Sequence, residues 1–445
     1  MYSSNSFNFE AVIALPFLLV YWFIHLIKSC ISPIAYDNFN TARLEGKIAI
    51  ITGSNTGVGR ETAAQLFDMG ATVILACRDV EKGKQAREYI LRQREIVGDK
   101  DVMIMCLDLG SFRSILSFVI EYKKKFNSLD ILVNNAGLNI EGTTEDGLQQ
   151  LFQVNYLGHY LLVRLLFGLY SYDKLISADS KVLIDKKSSH LFTSDDIRIL
   201  QSKLLVSNAR IVNLSSVMHH AGACDFEASS LPRNIALSTM KGKSYYNDSK
   251  LYMNLLTYEI NKRFSVLGSL IYNNDNNSEQ LFNISRGSLL AISANPGAVR
   301  SDIWRHVPRF VMPIFDFVMK SLFLTVEQGA STSVYGVVIP TDDVDTRCHH
   351  ASEVFTRQHH DSPHSHTAMN PLIPYVAPYS QPISRIGIGM EMLGPYTGPS
   401  FVPCTSPGNI RKQSNTLWNM SAALCSKALR KHGVTAEYIK LDETL

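Results

Sequence analysis

The sequence predicts an α/β fold, a doubly wound parallel sheet with helices on both faces. Residues 47–52 form a short apolar run of the kind that is buried in parallel sheets. Three glycines, Gly53, Gly57 and Gly59, follow at once, and a helical pattern opens at Arg60. Similar apolar runs recur at 72–76, 131–133 and 289–294. Strands that are separated by helices in this way form a parallel sheet.

The glycine-rich turn suits a dinucleotide pyrophosphate. Glycine allows a tight turn and the close approach of a phosphate, and the N-terminus of the following helix offers free N–H groups and the positive end of its dipole. The order of strand, turn and helix is the context that such a motif requires. The predicted cofactor contacts in this turn are Gly53, Asn55, Thr56, Gly57, Val58, Gly59 and Arg60.

A second motif, Tyr246 with Lys250 four residues later, predicts acid–base chemistry. A helix places both side chains on one face. A phenol titrates at about pH 10, so it exchanges protons poorly at neutrality, and a neighbouring ammonium lowers its pKa. The same spacing also arises by chance as a pair on a helix surface. Together with the glycine-rich turn, however, it favours a hydride-transfer enzyme.

Four further segments carry a resemblance to a known family. They are Asn-Asn-Ala-Gly at 134–137, the segment 152–159 with Asn155, the segment 210–216 ending in Ser216, and Asn-Pro-Gly at 295–297. With the two motifs above, they make the chain resemble the short-chain dehydrogenase/reductase family, whose fold is Rossmann-like. Within the family, the chain most resembles the microsomal retinol dehydrogenase type, through 75–83, 153–159 and 301–306.

The resemblance implies four catalytic residues, Asn155, Ser216, Tyr246 and Lys250. Tyr246 would donate a proton to a carbonyl oxygen during reduction, or accept one from an alcohol during oxidation. Lys250 would lower the pKa of Tyr246 and hold the ribose hydroxyls of the nicotinamide nucleotide. Ser216 would stabilise charge on the substrate oxygen, and Asn155 would anchor a water that links Lys250 to solvent.

Two of these residues have a neighbour of the same type. Ser215 precedes Ser216, strand alternation points only one of the two at the site, and the family pattern favours Ser216. Tyr245 precedes Tyr246, and only Tyr246 has a lysine four residues later. Ser216 and Tyr246 are therefore the predicted catalytic members of each pair.

The resemblance also implies cofactor contacts beyond the glycine-rich turn. Asp108, which ends the third strand, is expected to bracket the adenine, and the loop at 295–297 is expected beneath the nicotinamide. The contacts implied in this way are Asp108, Leu109, Asn135, Ala136, Gly137, Tyr246, Lys250, Pro296, Gly297 and Val299.

The residues after the second strand favour NADP(H) over NAD(H). An acidic residue at this position accepts the adenosine ribose hydroxyls of NAD and repels a 2′-phosphate. Here Cys77 and Arg78 follow the strand instead, and Arg60 adds a second cation near the same pocket. Guanidinium groups suit a phosphate because they bind it through bidentate, charge-assisted hydrogen bonds. The alternative is that both arginines are solvated surface groups, and Asp79 complicates the local field.

Residues 1–36 are predicted to anchor the chain in a membrane. Residues 11–27 contain no Asp, Glu, Lys or Arg, and Lys28 can snorkel to lengthen this short span. A cleavable signal peptide is the alternative, but the leader has no Lys or Arg. Cations after the run place the catalytic body on the cytosolic side of a single-pass protein. The resemblance indicates the endoplasmic reticulum as the membrane.

The chain has 445 residues, and its excess length relative to the family lies in three insertions. One catalytic domain is predicted over 43–340. The insertions lie at about 171–208, 268–287 and 341–397, and the third, rich in His, Pro, Ser and Tyr, is expected to be disordered. The last strand, near Phe401, and the C-terminal helix of the same domain are expected within 398–445. No metal site is predicted, because the six histidines between 349 and 366 lack spaced His or Cys partners.

Composition and one apolar segment limit the classes of partner and substrate that the sequence favours. A formal charge of +3 without a basic stripe argues against nucleic acid, and seven irregularly spaced cysteines indicate reduced thiols. Residues 303–324 are apolar but interrupted by charges, which argues against a second spanning helix. The family uses this segment as a lid, so a lipophilic alcohol or carbonyl compound (a retinoid, sterol or lipid aldehyde) is the expected substrate. Ordinary core packing is the alternative.

Two other functions share the same motifs. A non-catalytic NADP(H)-binding module, serving interaction or redox sensing, would keep the fold but would not need all four catalytic residues. A light-dependent tetrapyrrole reductase shares the glycine-rich turn and the Tyr/Lys pair, but residues 134–137 do not favour it. Resemblance to the family also suggests a homodimer.

Overall fold

The computed structural model describes residues 42–92, 102–168, 192–202, 204–206, 208–224, 245–264, 289–300, 323–341, 343–344, 373–378, 400–401, 410–432 and 434. Within these ranges the chain forms one eight-stranded sheet in the order β3-β2-β1-β4-β5-β6-β7-β8. The strands are β1 (Ile48–Thr52), β2 (Thr72–Cys77), β3 (Val102–Cys106), β4 (Ile131–Asn134), β5 (Ala209–Leu214), β6 (Leu289–Ala294), β7 (Tyr375–Ala377) and β8 (Ser400–Phe401).

The first seven strands are parallel, and β8 pairs antiparallel with β7 at the edge. The strand order reverses between β1 and β4, which makes the sheet doubly wound. The predicted Rossmann-like sheet is therefore confirmed. The helices are α1 (Gly57–Asp68), α2 (Val80–Arg92), α3 (Phe112–Lys125), α4 (Gln150–Phe152), α5 (Gly158–Phe167), α6 (Ser194–Gln201), α7 (Tyr245–Phe264), α8 (Val326–Val338) and α9 (Ile410–Lys431).

Alternate residues of each strand face two different helical layers. On β1, Ile50 packs in the core that α3, α5, α7 and α9 cover, whereas Ala49 and Ile51 pack in the core beneath α1, α2 and α8. This alternation follows from the two-residue period of a strand. Both faces of the sheet are covered by helices, as a parallel sheet requires.

Buried polar side chains fix α7, the helix of the Tyr246 motif, against the sheet. The side-chain amide of Asn261 bonds both the N–H and the carbonyl of Ala291 on β6, each at 2.8 Å. One turn earlier, Thr257 bonds Asn213 of β5 at 2.9 Å and Ser293 of β6 at 2.8 Å. Because each of these buried groups is paired, they set the position of α7 without leaving unsatisfied polar atoms.

The C-terminal part of the sheet differs from the prediction. Residues 341–397 were expected to be a disordered insertion, but Tyr375–Ala377 within them forms β7, and all three residues are buried. The strand has only three residues and lies in a Pro- and Ser-rich segment, so its sequence shows no recognisable strand pattern. Ser400–Phe401 does form the last strand, near the expected position, but it runs antiparallel and pairs with β7.

The first insertion also contains regular structure. Ser194–Gln201 is a helix (α6) that begins with a capping box between Thr193 and Asp196. Lys123 of α3 holds its C-terminal end, since its ammonium donates to the carbonyls of Leu200 and Ser202 at 2.8 and 2.7 Å. This part of the segment 171–208 therefore packs on the domain.

Several predictions fall on residues outside the described ranges. They are the membrane anchor at 1–36, the insertion at 268–287, the histidines between 349 and 366, and all but the last two residues of the apolar segment 303–324. Among the described residues, no helix is both long and apolar enough to cross a membrane.

Candidate active site

Every predicted site residue lies in the described part of the chain, and most follow the carboxyl end of a strand. Residues at this edge, around the point where the strand order reverses between β1 and β4, form the ligand crevice of an open α/β sheet. The predicted residues are placed as follows: Gly53, Asn55, Thr56, Gly57, Val58, Gly59 and Arg60 after β1; Arg78 after β2; Asp108 and Leu109 after β3; Asn135, Ala136 and Gly137 after β4; Ser216 after β5; Pro296, Gly297 and Val299 after β6.

The turn after β1 has a backbone shape that only glycine adopts without strain. Gly53 and Gly57 have φ angles of 62° and 56°. A Cβ atom on Gly59 would lie 2.3 Å from Nδ2 of Asn135 and 2.7 Å from the carbonyl oxygen of Gly53. Thr56 makes no side-chain cap to α1, and the first turn of α1 contains no acid. The N–H groups at this helix end therefore suit an anionic ligand, which fits the pyrophosphate of a dinucleotide.

Asn155 lies in a π-helical segment, Gln153–Leu157, between α4 and α5. Its side-chain oxygen accepts the N–H of Leu138 at 2.9 Å, and its Nδ2 donates to the carbonyl of Leu138 at 2.9 Å and to Oγ of Ser249 at 3.0 Å. Ser249 in turn donates to the carbonyl of Tyr246 at 2.7 Å. The Asn155 side chain thus ties the loop after β4 to the first turn of α7.

Ser216 and Tyr246 are brought together by β5 and α7. Their side chains share a hydrogen bond, and the Ser216 hydroxyl also accepts the N–H of Met218 at 3.3 Å, at the start of a 3₁₀ helix, Val217–Ala221. Ser215 points elsewhere, since its hydroxyl donates to the carbonyl of Lys250 at 3.1 Å. The geometry pairs Ser216, and not Ser215, with the tyrosine.

Lys250 lies beside the tyrosine but is engaged with the backbone. Its buried ammonium donates to the carbonyl of Leu214 at 3.0 Å and lies 5.6 Å from the ring centroid of Tyr246. Burial lowers the pKa of Lys250 to about 8. A Cβ placed on Gly137 would be 3.5 Å from this ammonium and 3.6 Å from Oδ1 of Asn155. The loop after β4 therefore lies against both groups.

The pKa of Tyr246 differs from the expectation. The sequence predicts a pKa below the ordinary value, through Lys250, whereas in the structure burial raises the pKa of Tyr246 to about 12 and the hydrogen bond from Ser216 opposes that rise. The reason is geometric, because the Lys250 ammonium bonds the Leu214 carbonyl instead of the phenol. In this arrangement Tyr246 is a protonated phenol at neutral pH.

The expected adenosine end of the crevice carries two arginines in different surroundings. The Arg78 side chain is 72% exposed, and its guanidinium lies 4.0 Å from the carboxylate of Asp108. The guanidinium of Arg60 instead stacks over the ring of Tyr89 on α2, 3.9 Å from its centroid. Burial raises the pKa of Cys77 to about 11, so the thiol at the expected acid position is uncharged at neutral pH. Arg78 is the more accessible of the two cations.

Comparisons with known proteins agree with this geometry. Residues 47–173 match the family model described as short chain dehydrogenase. The chain is 31% identical over 339 residues to retinol dehydrogenase 11 of Mus musculus, covering 74% of this chain and 84% of that protein. The chain belongs to the short-chain dehydrogenase/reductase family. It is therefore an NAD(P)-dependent oxidoreductase that acts on CH–OH groups or the corresponding carbonyls.

Other relatives place this short-chain dehydrogenase near the same group. It is 30% identical over 308 residues to retinol dehydrogenase 14 of Homo sapiens, covering 66% of this chain and 74% of that protein. It is 35% identical over 268 residues to retinol dehydrogenase 13 of Mus musculus, covering 60% of this chain and 62% of that protein. The predicted resemblance to the retinol dehydrogenase type is confirmed.

Three buried groups at this site of the dehydrogenase were not predicted from the sequence. Ser249 bonds Asn155, while Thr52 and His159 bond each other at 3.0 Å beneath the glycine-rich turn. One signal was present in the sequence, because His159 follows Asn155 by four residues on a helical segment and so lies on the same face. The contact with Thr52, 107 residues away in the chain, has no such signal.

Proposed function

We propose that the chain is a membrane-anchored, NADP(H)-dependent oxidoreductase that interconverts a lipophilic alcohol and its aldehyde or ketone. The observation that carries this proposal is the hydrogen bond between Ser216 and Tyr246, with Lys250 buried beside them. A hydroxyl pair at the mouth of a dinucleotide crevice can hold one substrate oxygen between two hydrogen-bonding groups. A retinoid, a sterol and a lipid aldehyde all present such an oxygen on an apolar body.

In reduction, Tyr246 is the proton donor. Its pKa, raised to about 12, keeps the phenol protonated at neutral pH, so it can hydrogen-bond a carbonyl oxygen and transfer its proton as negative charge develops there. Ser216 hydrogen-bonds the same oxygen and stabilises that charge. The bound nicotinamide cofactor supplies the hydride. In oxidation, Tyr246 as phenolate accepts the alcohol proton.

Lys250 is proposed to act through its charge. An ammonium whose pKa is about 8 is mostly protonated at neutral pH, and it lies close enough to Tyr246 to favour the phenolate that proton transfer leaves. Its position beside Gly137 also suits the ribose hydroxyls of a bound nucleotide. Asn155 holds the loop that carries Gly137, through Leu138, and its proposed water relay to solvent rests on the family resemblance.

Arg78 supports the preference for NADP(H) over NAD(H). Its guanidinium is exposed at the end of β2, and the neutral Cys77 thiol places no negative charge against a 2′-phosphate. Arg60, stacked on Tyr89, is a less available second cation. Asp108 and Leu109 are proposed to flank the adenine. Val58 and Val299, which belong to one small apolar cluster, are proposed to lie near the cofactor.

Replacing Arg78 by Glu is expected to weaken NADPH binding by about ten- to a hundredfold, the loss of a charge-assisted hydrogen bond. The dissociation constant for NADH should change much less, because NADH lacks the 2′-phosphate. Arg92→Glu is the matched control, since Arg92 is an exposed arginine on α2 that pairs with Glu88. Titration of intrinsic fluorescence measures both constants. Equal losses for the two nucleotides would contradict the assignment of Arg78.

The proposed cellular setting is a membrane surface. Residues 1–36 anchor the chain in the endoplasmic reticulum membrane, with the catalytic domain facing the cytosol. A substrate dissolved in the bilayer can then reach the site directly, which fits the retinol dehydrogenases among its relatives. A homodimer is proposed from the family resemblance.

Purified full-length protein in detergent tests the proposed function. NADPH is mixed with a panel of carbonyl compounds headed by all-trans-retinal, and the loss of NADPH absorbance is followed. Carbonyl-dependent loss of NADPH is the expected result. Tight NADPH binding without turnover on any compound would instead favour the non-catalytic binding module.

A further inference from the structure

A buried chain of hydrogen bonds connects the end of β1 to the segment that carries Asn155. The ring of His159 is completely buried, with Nε2 3.0 Å from Oγ1 of Thr52 and Nδ1 3.2 Å from the main-chain carbonyl of Asn155. Thr52 is the last residue of β1 and immediately precedes Gly53. The imidazole thus bridges the glycine-rich turn and the proposed catalytic asparagine.

The hydrogen bonds around Thr52 fix the direction of its hydroxyl proton. Its Oγ1 accepts the N–H groups of Asn135 and Ala136, each at 2.9 Å, which occupy both lone pairs. The hydroxyl must therefore donate, and Nε2 of His159 at 3.0 Å is a closer acceptor than the carbonyl of Val133 at 3.4 Å. Nε2 of His159 consequently carries no proton.

The other ring nitrogen must then carry the proton. The carbonyl of Asn155 only accepts hydrogen bonds, so Nδ1 of His159 donates to it. Protonating Nε2 as well would set two donors against each other at Thr52. Burial and the charge of Lys250 lower the pKa of His159 to about 3, in agreement with a neutral ring.

We propose that His159 is a positioning residue. As the neutral Nδ1–H tautomer, it holds the main-chain carbonyl of Asn155 at a fixed position relative to the Thr52 side chain. This inference rests on the proposed function for its effect on turnover. The carbonyl lies in the π-helical segment, where the N–H of Gly158 bonds the carbonyl of Gln153 five residues earlier. Such widened turns depart from α-helical geometry. The imidazole fixes this π-helical turn against β1, the strand that precedes the glycine-rich turn.

The position of Asn155 affects both sides of the proposed site. Its side chain bonds Leu138 and Ser249, so a displaced Asn155 backbone would shift the loop after β4 and the first turn of α7 together. The glycine-rich turn has independent support, because Asn135 donates from Nδ2 to the carbonyl of Thr52 at 2.7 Å. Loss of His159 should therefore reduce turnover more than cofactor affinity.

Three variants test the proposal kinetically. His159→Leu removes both hydrogen bonds and should lower kcat about tenfold or more while the dissociation constant for NADPH changes less than about threefold. His159→Asn keeps an N–H that can reach the Asn155 carbonyl and should recover most of kcat. Tyr156→Phe is the control, because it removes a buried hydrogen bond from the same segment to Ser421 on α9. It should lower thermal stability and leave kcat unchanged. Unchanged kcat in His159→Leu would overturn the proposal.

A spectroscopic measurement tests the tautomer without any turnover. ¹⁵N NMR of histidine-labelled full-length protein, with His159 assigned by the signals lost in His159→Asn, should show a neutral Nδ1–H ring that does not titrate from about pH 5 to about pH 8. An Nε2–H ring, or titration in that interval, would overturn the proposal. This result is independent of activity. A protein that binds NADPH but reduces no carbonyl compound would therefore contradict the proposed function and leave the assigned tautomer of His159 unaffected.

Discussion

Tyr246→Phe is expected to lower kcat for carbonyl reduction by about a hundredfold to about ten-thousandfold, the contribution of a general acid. The variant removes one hydroxyl and keeps the ring, so its packing should be preserved. The hydroxyl is the group that bonds Ser216 and the only proposed proton donor to the substrate oxygen. Single-turnover measurement of NADPH oxidation would report the chemical step, and the dissociation constant for NADPH should stay within about threefold.

The matched control is Tyr245→Phe, which removes the same hydroxyl one residue earlier on the same helix. Tyr245 is half-buried like Tyr246 but has no lysine four residues later. Its kcat should remain close to that of the unmodified protein. Full turnover in Tyr246→Phe, or an equal loss in both variants, would show that Tyr246 is not the acid.

Gly59→Ala is expected to raise the dissociation constant for NADPH by about tenfold to about a hundredfold. The added methyl would lie 2.3 Å from Nδ2 of Asn135 and 2.7 Å from the carbonyl oxygen of Gly53. Those atoms cannot both move without opening the turn, and overpacking of this kind costs about 1–3 kcal/mol. The same strain should lower Tm, so binding is to be measured well below the unfolding transition.

Gly336→Ala provides the comparison for Gly59→Ala. Gly336 lies inside α8, and a Cβ there would meet side chains of Ile292 and Val212 at 3.4 Å, an ordinary contact. Alanine also favours a helix over glycine. NADPH affinity should therefore be unaffected in Gly336→Ala. If Gly59→Ala bound NADPH as tightly as this control, the turn would not be the pyrophosphate cradle.

Much of the site was predictable because its signals are local in sequence. The glycines that follow β1 encode the turn through their conformation, as the positive φ angles of Gly53 and Gly57 show. Tyr246 and Lys250 lie one helical turn apart, so their proximity follows from the helix alone. The fold was predictable for a similar reason, since buried parallel strands appear as short continuous apolar runs.

What escaped prediction depends on contacts between distant segments. The ammonium of Lys250 donates to the carbonyl of Leu214, 36 residues earlier in the chain, and not to the phenol of Tyr246. Burial therefore dominates and raises the pKa of Tyr246. The bridge from His159 to Thr52 is of the same kind. Strand β7 has only three residues and owes its structure to pairing with β6, which no local pattern records.

Hydride is proposed to pass between a nicotinamide and a lipophilic carbonyl compound at Tyr246. The most direct test uses NADPH deuterated at both C4 positions, full-length protein in detergent, and all-trans-retinal together with a sterol ketone and a fatty aldehyde. The expected product is an alcohol that carries deuterium at the former carbonyl carbon, formed by the unmodified protein and lost in Tyr246→Phe. NADPH that binds but leaves every compound free of deuterium would contradict it.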